Sequence, residues 1–148
     1  LIRLSMGYPD HRSQINILRD RHSENPLDRV QPVVTKDELL NLIQEARAVE
    51  ANDRIFDYIT TLAEATRTHP MVELGVSPRG ALALCRMAKA HAFLAGRDFV
   101  VPEDVAAVFP DVCAHRLILS AKARMMEEKA ENILSEILKS VDMPVLKA

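Results

Sequence analysis

Residues 77–96 read Ser77-Pro78-Arg79-Gly80-Ala81-Leu82-Ala83-Leu84-Cys85-Arg86-Met87-Ala88-Lys89-Ala90-His91-Ala92-Phe93-Leu94-Ala95-Gly96, and this stretch decides the fold. Ser77 is an N-cap, and Pro78 takes the first helical position, where its missing N–H costs nothing. Gly96 suits the left-handed cap that ends a helix. Between these signals lie Leu82, Leu84, Cys85, Met87, Ala88 and Phe93. The many alanines predict burial on several sides, so this is the central helix of a bundle.

Working outward, Asn52 or Asp53 caps a helix carrying Ile55, Tyr58, Ile59, Leu62 and Ala63, which fades near His69-Pro70. Residues 71–76 read as loop. Upstream, Thr35-Lys36-Asp37-Glu38 is a capping box that opens a helix to about Val49. Asp10 caps a first helix expected to reach about His22. Downstream, Pro102-Glu103-Asp104 starts a short helix to about Phe109, which Pro110 interrupts. A turn through Cys113 leads to His115-Arg116, and residues 117–141 predict one helix, broken at most once, with Ile133, Leu134, Ile137 and Leu138 as its apolar face. Leu1–Met6 alternates like a half-buried strand until Gly7-Tyr8-Pro9 breaks it. That strand has no partner in a helical chain, so it is expected to close a domain lying upstream. A chain that starts at Leu1 is accordingly expected to be a piece of a longer protein. The expected fold is all-α: five to seven helices over residues 10–148, preceded by a short orphan strand.

Composition narrows the chemistry. Among 148 residues there are 18 Ala and 17 Leu but only 4% aromatics, a balance that disfavours a β-sandwich or barrel. The four glycines are followed by Tyr8, Val76, Ala81 and Arg97, so neither a phosphate-binding P-loop nor a dinucleotide fingerprint occurs. Net charge is −2, from 19 Lys+Arg against 21 Asp+Glu, which argues against a dedicated nucleic-acid module. Cys85 and Cys113 lack CxxC spacing and read as buried free thiols of a reducing cytosol. No apolar run approaches a membrane span, and no signal segment opens the chain. His11, His22, His69, His91 and His115 are scattered singly, without the spacing of a zinc site.

Arg79 stands out physically. It lies in the first turn of its helix, where the positive end of the macrodipole disfavours a cation. An anion nearby would reverse that balance: helix N-termini present N–H groups, and a guanidinium adds forked, charge-assisted hydrogen bonds. A solvated surface arginine is the alternative.

Five stretches carry a family resemblance: Leu4-Ser5-Met6-Gly7-Tyr8-Pro9, Ser77-Pro78-Arg79, Gly96-Arg97-Asp98-Phe99-Val100, Pro102-Glu103-Asp104-Val105 and Ala114-His115-Arg116-Leu117-Ile118-Leu119. In that order and spacing the chain resembles the C-terminal half of a MoxR-type AAA+ ATPase, the all-helical lid that follows the P-loop core. The resemblance implies that Arg79 is the sensor 2 arginine, reaching the γ-phosphate of ATP, with Ser77 and Pro78 beside it. Residues 1–9 would then end the upstream AAA+ core and form the hinge. Tyr8 and Pro9 would line the adenine pocket there, or serve as a plain chain turn. His115-Arg116 would touch a neighbouring subunit or cap the preceding turn. The resemblance further implies ATP and Mg²⁺ as cofactors of the intact protein, a homo-oligomeric ring (a hexamer) and a cytoplasmic location. It also implies a chaperone-like or metal-cofactor-insertion role, alongside a von Willebrand factor A-type protein. The intact protein is expected to hydrolyse ATP; this chain alone is not. Gly80 departs from the family's Ala and Val101 from its Thr, and residues 121–133 lack the family's glycine. The competing reading is a non-enzymatic helical interaction module, such as a helix-turn-helix DNA binder.

Overall fold

The structure, a computed structural model, describes residues 1–21 and 25–145, so the expected end of the first helix at His22 lies outside the described residues. These residues fall into two compact units, one of residues 4–42 and one of residues 1–3 and 43–148.

In the smaller unit, α1 (His11–Asp20) starts where Asp10 accepts a hydrogen bond from the Ser13 N–H at 2.7 Å. A short 3₁₀ turn, Pro26–Arg29, follows. Helix α2 (Lys36–Ala48) starts in this unit, its residues from Ile43 on belonging to the larger one, and opens with the expected capping box: the Thr35 N–H donates to the Glu38 carboxylate at 2.7 Å and the Glu38 N–H to Thr35 Oγ1 at 3.2 Å. Ile15, Leu18, Leu39 and Leu40 are all exposed.

The larger unit holds the core. Helix α3 (Asp53–Thr68), capped by Asn52, packs beside α4 (Pro78–Leu94), capped by Ser77, and α5 (Pro102–Cys113) lies against both. Leu62, Leu84, Val105, Phe109 and Leu134 are completely buried, each contributing about 1.5–3 kcal/mol. Gly96 ends the α4 region at φ +73°, as its sequence position required.

Three expectations need correcting. First, Pro110 does not end its helix, because α5 runs through it to Cys113. An internal proline costs about 3 kcal/mol. Phe109 and Val112, fully buried on either side of it, return about 1.5–3 kcal/mol each. Second, residues 117–141 do show the one break allowed for, but their start is a strand and not helix. Ile118–Leu119 forms strand β2, paired antiparallel with β1 (Val72–Leu74), a strand inside the expected loop 71–76. Helices α6 (Ala121–Met125) and α7 (Ala130–Ser140) follow, separated where Glu127 adopts φ +54° without a glycine. Third, Leu1–Met6 is not a strand in the described residues; its alternation lacks a ladder partner, and only the Arg3 N–H bonds across the chain, to Asp111 O at 3.0 Å. The all-helical fold class itself holds.

Asp104 lies in the first turn of α5, where a carboxylate suits the helix dipole, and it also makes a network of hydrogen bonds. Only 1% exposed, it accepts two hydrogen bonds from Arg97 at 2.5 and 2.6 Å and one from the Val101 N–H at 2.8 Å. His91 Nδ1 lies 2.7 Å from the same carboxylate and must carry the proton, since an ionised carboxylate only accepts. One side chain thus joins the end of α4, the Gly96 turn and the start of α5. It also supplies the return half of a capping box, accepting the Val101 N–H, while the half that a Val101 side chain would have to accept is missing.

Candidate functional site

Where α4 begins, the chain is held from behind by α3. The Val76 N–H donates to the buried Thr66 Oγ1 at 2.9 Å, and Arg67 Nε donates to Val76 O at 2.9 Å. Ser77 Oγ then accepts the Gly80 N–H at 3.2 Å. Pro78 has no N–H and that of Gly80 is taken up by Ser77, so this helix start offers an anion less backbone than most.

In front of this helix start lies an open cavity of about 1040 Å³, slightly above the usual range of small-molecule sites. Ser77, Pro78 and Arg79 all line it, as do Arg67, Arg86 and Arg116. Glu73 is the one carboxylate on its wall, and Arg124 already faces it at 3.7 Å. The lining is therefore strongly cationic. Arg79 is exposed and its side chain makes no hydrogen bond or ion pair among the described residues.

Two glycines admit two of these arginines. A Cβ on Gly75 would stand 2.7 Å from the Arg67 backbone and Cγ, so that close approach requires glycine. A Cβ on Gly80 would meet Val76 Cγ1 at 2.7 Å and Arg116 Cδ at 3.3 Å. The missing Cβ of Gly80 thus lets the stem of Arg116 lie against the first turn of α4. The Arg116 guanidinium donates to Val112 O and, at 2.6 Å, to His115 Nε2. Burial, together with the Arg116 and Arg3 charges, lowers the His115 pKa, which keeps that imidazole a neutral acceptor.

Tyr8 is fully exposed and Pro9 exposed, both in the smaller unit, whereas every residue lining the cavity belongs to the larger one. Among the described residues no cluster of His, Cys, Asp and Glu could hold a metal ion, and no helix is long and apolar enough to cross a membrane. Arg67, Arg86 and Arg116 were not singled out for an anion from sequence. Arg86 could have been, because seven residues after Arg79 it returns to the same helix face.

Residues 64–137 match the AAA lid domain, which takes in all four arginines and half of the chain. The chain belongs to the AAA lid domain family. YeaC of Bacillus subtilis, an uncharacterised protein, is 37% identical over the whole chain and 46% of its own length. The chaperone MoxR1 of Mycobacterium tuberculosis is 29% identical, again over the whole chain and 41% of its own length. A crystal structure of a candidate ATPase from Cytophaga hutchinsonii superposes with a TM-score of 0.86 at 30% identity, covering 97% of this chain and 46% of that one. The chain therefore spans less than half the length of each of these proteins. The lid region of a MoxR-type AAA+ ATPase, read from the five motif stretches, is borne out.

Proposed function

We propose that this AAA lid domain is the sensor 2 element of a MoxR-like AAA+ ATPase, with Arg79 contacting the γ-phosphate of ATP. One observation carries the reading. Arg79 is exposed and unpaired among the described residues, set against the helix dipole in a cavity whose other charges are mostly positive. An arginine kept there without a protein partner fits an anion supplied from outside the domain.

ATP, when bound, supplies the phosphoryl group and its negative charge. Arg79 holds the terminal phosphate and stabilises charge as it develops there, and Ser77 and Pro78 fix the turn that presents it. Mg²⁺ fits less well in this part of the protein, because the cavity wall offers it only Glu73; its ligands belong to the upstream core. Residues 1–9, with Gly7 at φ +63°, form the connection to that core. Tyr8 and Pro9 lie on the adenine side of that connection. The intact protein assembles as a hexameric ring in the cytoplasm. It couples ATP turnover to a chaperone-like or cofactor-insertion task with a von Willebrand factor A-type partner.

The test is ATP turnover and ATP affinity of the intact protein with and without Arg79→Ala. Loss of one preorganised charge contact should lower turnover about a hundredfold. Because the side chain is exposed, the circular-dichroism spectrum should not change. Unchanged turnover and affinity would remove the sensor assignment.

A further inference from the structure

Arg79 accounts for one of the four arginines around the cavity, and the other three are not equivalent. Arg67 and Arg116 are anchored to the carbonyls of Val76 and Val112. Arg86 is exposed, lines the same cavity, and its side chain makes no hydrogen bond or ion pair among the described residues. Like Arg79, it is a charge that the domain itself leaves unmatched.

The spacing of these two free guanidinium groups is informative. Seven helical residues bring Arg86 back to within about 20° of the Arg79 face, about 10 Å further along the axis. One small anion at the helix start answers Arg79 and leaves Arg86 without a partner. An extended anion with charge along its length answers both. Two fixed arginines on the wall add a positive field that favours a multiply charged ligand over a singly charged one.

We infer that Arg86 is a second phosphate-contacting residue, and that the cavity takes a chain of linked phosphates with Arg79 on the terminal group and Arg86 on a group further in. This rests on the reading of Arg79 as a phosphate contact and adds the residue that distinguishes a phosphate chain from a single phosphate.

The 148-residue chain, which contains its own buried core, can be titrated with inorganic tripolyphosphate and with orthophosphate, following backbone amide NMR shifts at low salt. Arg86→Gln should weaken tripolyphosphate binding about tenfold while changing orthophosphate binding less than about twofold. Arg86→Lys should recover part of the loss, since it keeps the charge but not the fork. Arg79→Gln should weaken both ligands. The inference is overturned if wild type binds tripolyphosphate no better than orthophosphate, or if Arg86→Gln affects neither ligand or both alike. If only Arg79→Gln has an effect, the second contact falls and the sensor reading stands. If only Arg86→Gln has one, the sensor reading falls and the two-point inference falls with it, leaving Arg86 as a lone anion contact.

Discussion

Replacing Asp104 by Asn removes one negative charge from the place where α4, α5 and the turn between them meet. Burial alone would raise the pKa of this carboxyl group. The hydrogen bonds from Arg97, the Val101 N–H and His91 outweigh it and bring the value from 3.8 down to about 2. Because the folded-state value lies below the unfolded one, the stabilisation is complete above about pH 5 and drains away as pH falls through 3.8 towards 2. The gap is equivalent to about 2 kcal/mol, of which about half is gone by pH 3. Asp104→Asn should therefore lower stability at pH 7 by about 2 kcal/mol, with Arg97 left facing an amide. Between pH 5 and pH 3 the variant should also lose about 1 kcal/mol less than wild type. Urea melts of the chain at pH 7, 5 and 3 measure both quantities. If wild type and variant lose stability in parallel over that range, Asp104 is not the acid-labile tie and the reasoning fails.

Two further outcomes follow from the packing. Gly75→Ala would drive a Cβ to 2.7 Å from the Arg67 backbone, which cannot rotate aside, so a denaturant melt should show about 1–3 kcal/mol of destabilisation; a change below about 0.5 kcal/mol would mean the loop simply shifts. Burial pushes the Cys113 thiol up to about 12 and that of the half-buried Cys85 up as well. Iodoacetamide at pH 8 should accordingly label Cys85 slowly and Cys113 only as the domain unfolds, a rate that mass spectrometry can follow against denaturant.

The helix starts were legible because their signals are local. A serine or asparagine cap and a nearby amide lie within three residues of each other, as with Ser77 and the Gly80 N–H or Asn52 and the Ile55 N–H. The β1–β2 pair was not, since Val72 pairs with Leu119 far along the chain and strands this short have no measurable period. The turn at Glu127 was hidden because its left-handed backbone is not marked by glycine. Pro110 misled for the opposite reason: a strong local breaker was overruled by buried neighbours that only the tertiary fold supplies. At the candidate site, Ser77-Pro78-Arg79 could be read directly, whereas Arg67 and Arg116 arrive from other elements. Gly75 and Gly80, which admit them, look in sequence like ordinary loop and helix glycines.

The fastening of Val76 has a mechanical meaning. Its N–H and its carbonyl are each gripped by a neighbouring residue of α3, Thr66 and Arg67, on either side of one peptide-linked residue. A tether with two grips leaves little slack just before α4. A force applied at Arg79 therefore is not lost in a compliant loop but is passed as torque to α3, so that the two helices turn as a single stiff lever.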